Sequence, residues 1–207
     1  PSIALNCMSQ ICNKDLAPLV YRELLPLFTC SKPVLRKKAC AMSYKIFIHA
    51  GENEHMIEEL TPYLSDRLKD SDASVRMAAI QVIYEITRIN PSLFVFTIPQ
   101  VFQLLCESTN NWVLIKLIKL LTEFCDAEPR LLSKLVPKFK NLLESQKAKS
   151  VQYEVVKSIL QLCRDQPDQQ KTQQASASYD LYDMAVKILI QEFVEQPDPN
   201  LRFLGLQ

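Results

Sequence analysis

Val75-Arg-Met-Ala-Ala79-Ile-Gln-Val-Ile83-Tyr-Glu-Ile86, Val113-Leu-Ile-Lys-Leu117-Ile-Lys-Leu-Leu121-Thr-Glu-Phe124 and Val151-Gln-Tyr-Glu-Val155-Val-Lys-Ser-Ile159-Leu-Gln-Leu162 are three copies of one pattern, set 38 residues apart. In each copy the apolar positions fall three and four residues apart, which places them on one face of a helix. The punctuation repeats with them: Pro91, Pro129 and Pro167 are also 38 apart, and Pro62, Pro99 and Pro137 follow at 37 and 38. A unit of this length repeated along a chain specifies a solenoid, because no single unit buries its apolar face without a neighbour.

The units divide into pairs of helices. The first of each pair, A, is expected at about Asp15 to Phe28, Glu54 to Lys69, Leu93 to Glu107, Arg130 to Glu144 and Tyr179 to Glu195. The second, B, is expected at about Pro33 to His49, Ala73 to Ile89, Trp112 to Cys125 and Lys147 to Arg164, with a shortened one from Asn200. Pro62 and Pro99 lie within A helices, where a missing amide donor either kinks the helix or marks a restarted first turn. Polar triplets precede the B helices at Ser31-Lys32-Pro33, Asp70-Ser71-Asp72 and Ser108-Thr109-Asn110, with side-chain oxygens suited to capping amides. The expected fold is all-α: a right-handed α-solenoid of HEAT/armadillo-like helical pairs with about five repeats, residues 1–207 forming a single solenoid piece. The chain opens and closes inside apparent helices, at Ser2-Ile3-Ala4-Leu5 and Leu201-Arg202-Phe203-Leu204, which predicts a piece of a longer trunk.

One segment breaks the period. Val151 and its counterpart Leu201 are separated by 50 residues, an excess of 12. The surplus is Asp165 to Ser178, DQPDQQKTQQASAS, which has no apolar residue larger than alanine to bury and reads as a mobile surface loop between repeats.

Composition narrows the function classes. The 207 residues are 48% hydrophobic and 23% charged, so the chain is able to bury a sizeable core. With 2 glycines against 12 prolines, Gly-rich phosphate loops and tight hairpins are disfavoured. A net charge of +1 provides no global attraction to polyanions. The seven cysteines include no CxxC pair and read as reduced, buried fillers, Cys106 and Cys125 among them. His49 and His55 are the only histidines, too few for a zinc constellation and without a GxSxG, Walker, Rossmann or HExxH partner motif, so no enzyme, metal or cofactor is expected. Reduced cysteines point to a cytoplasmic protein, and no run approaches the roughly 20 apolar residues of a membrane span. Tyr21-Arg-Glu-Leu24, Tyr44-Lys-Ile-Phe47 and Tyr153-Glu-Val-Val156 match a tyrosine sorting motif in form, but their helical spacing reads as core.

Charge is unevenly distributed along the chain. Residues 51–72 carry seven acids against Arg67 and Lys69, whereas residues 130–157 carry seven cations against Glu144 and Glu154. A basic A helix of this kind suits an acidic partner or an anionic membrane surface, although a solvated helix face is the more frequent reason for such a run. Arg36 stands 40 residues before Arg76, a recurrence that also fits an arginine bracing neighbouring repeats.

Four sets of residues go further than the period. Asn110-Asn111-Trp112-Val113-Leu114-Ile115-Lys116-Leu117-Ile118-Lys119-Leu120-Leu121 resembles a helix start found in adaptin large chains, and Lys32-Pro33-Val34-Leu35-Arg36-Lys37-Lys38-Ala39 resembles a second segment of that family. Ala127-Glu128-Pro129-Arg130-Leu131 and Asn200-Leu201-Arg202-Phe203-Leu204-Gly205-Leu206 resemble two more, so the likeness covers nearly the whole chain. The acidic stretch from Gly51 to Glu59 and the glutamine-rich loop depart from it.

The resemblance implies the trunk of a coat adaptor in vesicle-mediated transport. By that likeness the chain would hold a small sigma chain on a concave face formed by the B helices and pair with a beta-type large chain and a medium chain. An Arf-type GTPase would recruit the assembly, peripherally, to Golgi or endosomal membranes, with no nucleic acid involved. Candidate partner or membrane contacts are Arg36, Lys37 and Lys38; Lys116 and Lys119 on the Trp112 helix; and Lys134, Lys138 and Lys140. Trp112 itself reads as buried repeat packing, the usual fate of a lone tryptophan. A coatomer large chain or a nuclear-transport receptor would share the period but not these words, and the latter would be acidic overall. An RNA-reading helical repeat would show a recurring code, whereas Arg76, Leu114 and Gln152 at equivalent positions form none.

Overall fold

A computed structural model describes residues 2–51, 53–164 and 173–207, with the side chains of 164 and 173–179 excepted. Among the described residues there is no strand, and eleven α-helices form two compact units, Pro1–Cys106 and Glu107–Gln207.

In the first unit, α1 (Ser2–Ile11), α3 (Pro33–His49) and α5 (Ala73–Thr87) pack side by side as one layer. Helices α2 (Ala17–Phe28) and α4 (Glu54–Asp66) form the second layer, and α6 (Ile98–Glu107) follows. The layers correspond to the B and A helices of the repeat. The second unit repeats the plan, with α7 (Asn111–Ala127) against α9 (Lys149–Arg164), and α8 (Leu131–Ser145) against α10 (Gln173–Leu189). A π-helical turn, Ile190–Val194, ends α10, and α11 (Pro199–Leu206) packs back onto it. This is the α-solenoid the period predicts.

The core is built from the repeating positions. Val75, Ala79, Ile83 and Ile86 are buried, as are Leu117, Leu121 and Phe124 and the set Val151, Val155, Ile159 and Leu162. Val113 alone of the twelve is half-buried. Phe28, Phe94, Phe124, Phe139 and Phe193 fill the largest sites. Each would cost roughly 3–5 kcal/mol if cut to alanine.

Differences from the sequence expectation have local causes. Pro62 and Pro137 sit inside α4 and α8, but Pro99 lies in the first turn of α6, after a 3-10 turn at Val95–Thr97, where its missing N–H has no intrahelical partner to lose. Asp72 and Asn110 cap α5 and α7 through their side-chain oxygens, as expected. Helix α3 has no such cap: Lys32 occupies the position and Pro33 removes one of the amides that would need it. Residues 165–172 of the expected loop lie outside the described residues, and α10 begins at Gln173 rather than near Tyr179. The two alanines in Gln173–Ser178 favour helix more than a polar reading of the segment credits.

The cysteines are free thiols, but Cys7 and Cys106 are exposed rather than buried, each lying on the solvent side of its helix. Burial pushes the thiols of Cys40 and Cys125 up to about 12, so both stay protonated and inert. Tyr21 is buried, while Tyr44 and Tyr153 are half-buried within α3 and α9. No helix among the described residues is long and apolar enough to cross a membrane.

Candidate interaction surfaces

The polar chemistry of the first unit converges where A helices hand over to B helices. Arg36, in the first turn of α3, reaches across to Asp70, with Nε donating to Oδ2 at 2.7 Å and Nη2 to Oδ1 at 2.8 Å. Its Nη1 donates to the carbonyls of Cys30 and Ser31. Asp70 also accepts from Arg67 Nη1 and from the amide of Asp72, so the bidentate pair sits inside a wider network, in which the buried Arg67 Nε is left without an acceptor. The Arg36 hydrogen bond, opposed by burial, holds the Asp70 carboxyl at about 2.

The same closure recurs by register. Arg76 Nη1 donates to the carbonyls of Asp70 and Ser71, six and five residues before it, the offsets Arg36 uses toward Cys30 and Ser31. In the second unit Gln152 Nε2 donates to Gln146 O, again six residues back. A side chain near the start of the B helix thus ties down carbonyls of the loop that leads into it from the A helix. Leu114 occupies that position in α7 and has no donor to offer.

The candidate contacts therefore separate by role. Arg36 is 9% exposed and held in the pair with Asp70, which corrects its reading as a partner or membrane contact and supports its reading as a brace. Lys38 Nζ donates to Ser2 O and Asn6 Oδ1, fastening α1 to α3. Lys119 pairs with Glu154 of α9 at 3.3 Å. Lys37, Lys134 and Lys140 are exposed, and Lys116 and Lys138 half-buried.

Trp112 is 73% exposed, against the expectation of burial. It lies in the first turn of α7, where Asn110 Oδ1 accepts from its amide and the side chain stands clear of the face carrying Leu117 and Leu121. Nothing in a single sequence distinguishes a tryptophan at a helix start from one in a core position. The signal available was its offset, one residue before Val113 and on the far side of the apolar stripe.

A hollow of about 500 Å³ lies beside the Arg36 network, wide open and lined by Thr29, Ser31, Asp66, Arg67 and Lys69 among others. It is a dent between loops, without the enclosure a small-molecule site requires. Among the described residues no three His, Cys, Asp or Glu side chains gather as metal ligands. His55 faces Glu59 one turn on, at 3.8 Å.

Paired layers of helices, repeated in each unit, define an α-solenoid, and the chain belongs to the adaptin family: the model of the adaptin N terminal region matches residues 1–207. Within that family the chain is similar to delta-adaptins, as the Asn110–Leu121 and Ala127–Leu131 words suggest. It is 36% identical, over 99% of its length, to AP-3 complex subunit delta-1 of Bos taurus, of which it covers 16%. To AP-3 complex subunit delta of Saccharomyces cerevisiae it is 33% identical over 98% of its length, covering 20% of that protein. It also superposes with a TM-score of 0.77 and 30% identity on a chain of a full-length AP-3 complex, a homology model in an intermediate open conformation, covering 99% of this chain and 33% of that one. The chain thus spans about a sixth to a fifth of the length of these curated relatives.

Proposed function

We propose that this chain is part of the trunk of a large subunit of an AP-3-type coat adaptor, acting in vesicle-mediated protein transport as a scaffold and not as an enzyme. One observation carries the reading: the similarity to AP-3 delta subunits runs through 98–99% of the chain. In this reading the trunk holds a small sigma chain and is completed by a beta-type large chain and a medium chain. An Arf-type GTPase recruits the complex peripherally to Golgi and endosomal membranes. A solenoid suits such work because each repeat contacts only its neighbours and leaves one side of every helix for a partner, so area replaces a single pocket. Trp112, exposed with Lys116 one turn on, offers an aromatic contact of the kind protein interfaces favour.

The test is affinity purification of the intact tagged protein from its own cells, followed by mass spectrometry. Recovery of sigma, beta and medium adaptor chains in comparable amounts supports the reading. Recovery of coatomer chains, or of transport factors with a Ran-type GTPase, and no adaptor chains, contradicts it.

A further inference from the structure

We propose that the outward side of α8 is a docking surface for an anionic lipid bilayer. Helix α8 buries Leu131, Leu135, Phe139 and Leu142 against its own unit, and its remaining surface, with the residues that flank it, carries Arg130, Lys134, Lys138, Lys140 and Lys147. Among the described residues no hydrogen bond or ion pair holds any of these five side chains, whereas Lys119 and Lys149, which face α9 and the π-turn, pair with Glu154 and Glu192. Lys119 and Lys149 meet acids, whereas the five around α8 meet none among the described residues, Lys138 half-buried and the other four exposed.

Their placement also runs against helix stability. Arg130 stands at the N-cap of α8 without a capping bond, Lys134 lies in the first turn, and that turn contains no acid. The helix dipole favours the opposite sign there. A chain of net charge +1 that collects five cations around one amphipathic helix, with Glu144 the single acid within α8, holds a local field that its total charge does not report.

Lipid fits this surface better than an acidic protein. Four of the five cations are lysines, which protein interfaces deplete in favour of arginine and aromatic residues. None of the exposed large apolar side chains lies on α8, so the surface lacks the anchor that gives a protein contact its affinity. Hydrated point charges on flexible stems, spread over a convex helix side, match the diffuse negative potential of a bilayer, where each is worth about fivefold in affinity.

The inference rests on the reading of the chain as part of a peripheral coat, and its test is separate. The full chain is sedimented with vesicles of phosphatidylcholine alone or with phosphatidylserine added, as wild type, as Lys134→Glu/Lys138→Glu/Lys140→Glu, and as a control carrying Lys14→Glu/Lys69→Glu/Lys187→Glu. Circular dichroism verifies that each variant folds. The wild type and the control should bind the anionic vesicles alike, and the α8 variant should bind about tenfold more weakly or worse. Binding should also fall as salt is raised from about 0.1 M to about 0.5 M. Equal binding to both vesicle types, or equal losses in the two variants, would overturn the proposal. So would unchanged vesicle binding by the α8 variant together with loss of a purified sigma chain, which would make the face a protein contact. Failure on vesicles with retention of adaptor chains removes this inference alone.

Discussion

Arg36 and Asp70 tie successive repeats of the first unit together, because one guanidinium reaches both the Cys30 and Ser31 carbonyls and a carboxylate 34 residues away. Removing one partner leaves the other buried and charged, so Arg36→Ala should destabilise by about 3–5 kcal/mol in chemical denaturation. Replacing both with apolar residues of similar volume should recover most of that loss. The pH dependence follows from the depressed carboxyl. Asp70 falls from 3.8 to about 2 in the folded chain, so its contribution is present above the unfolded value and disappears as pH drops through the folded one. Between roughly pH 4 and pH 2 the wild type should lose about 1–2 kcal/mol that Asp70→Asn does not lose. Trp112 presents the contrary case. Its exposure predicts that Trp112→Ala changes stability by no more than about 0.5 kcal/mol, where a buried tryptophan would cost about 3–5 kcal/mol.

Helix starts and ends show how far the sequence could be read. Asn110→Ala removes the acceptor for the Trp112 and Val113 amides and should cost about 1 kcal/mol. Gly205 is a sharper test at the level of packing. A β-carbon there would stand 2.9 Å from Val194 Cγ2, 3.0 Å from Phe193 Cβ and 3.1 Å from the Val194 amide nitrogen, because α11 lies directly on the π-turn. Alanine would gain about 1 kcal/mol in helix propensity, but overpacking costs about 1–3 kcal/mol, so Gly205→Ala should lower the thermal midpoint. The B helices were legible almost to the residue, since α3 runs Pro33–His49 as its pattern dictates. The A helices were less so: Pro99 fits either an interior kink or a first turn by local rules, and the 3-10 turn before it decides between them. Of the candidate contacts, spacing identified the cations but not their partners. Whether a lysine meets an acid depends on the neighbouring repeat, as Lys119 does with Glu154, and no local pattern encodes that meeting.

Over the whole chain, a charge that sums to +1 conceals a division of labour. Part of the acidic stretch is structural, with Asp70 in the Arg36 network and Asp72 capping α5. The basic stretch divides in the same way, Lys149 serving the fold and the α8 cations turned outward. A partner held by many such side chains should tolerate the loss of any one: Lys116→Ala should weaken a sigma chain's binding by less than tenfold, as measured by calorimetry, in line with interfaces where most residues are near neutral. The account as a whole depends on that sigma chain. Its most direct test is co-expression of the intact large subunit with the AP-3-type sigma chain of the same organism, followed by gel filtration. The account predicts a stable one-to-one complex that survives dilution, and a sigma chain eluting alone, with the large subunit folded, would contradict it.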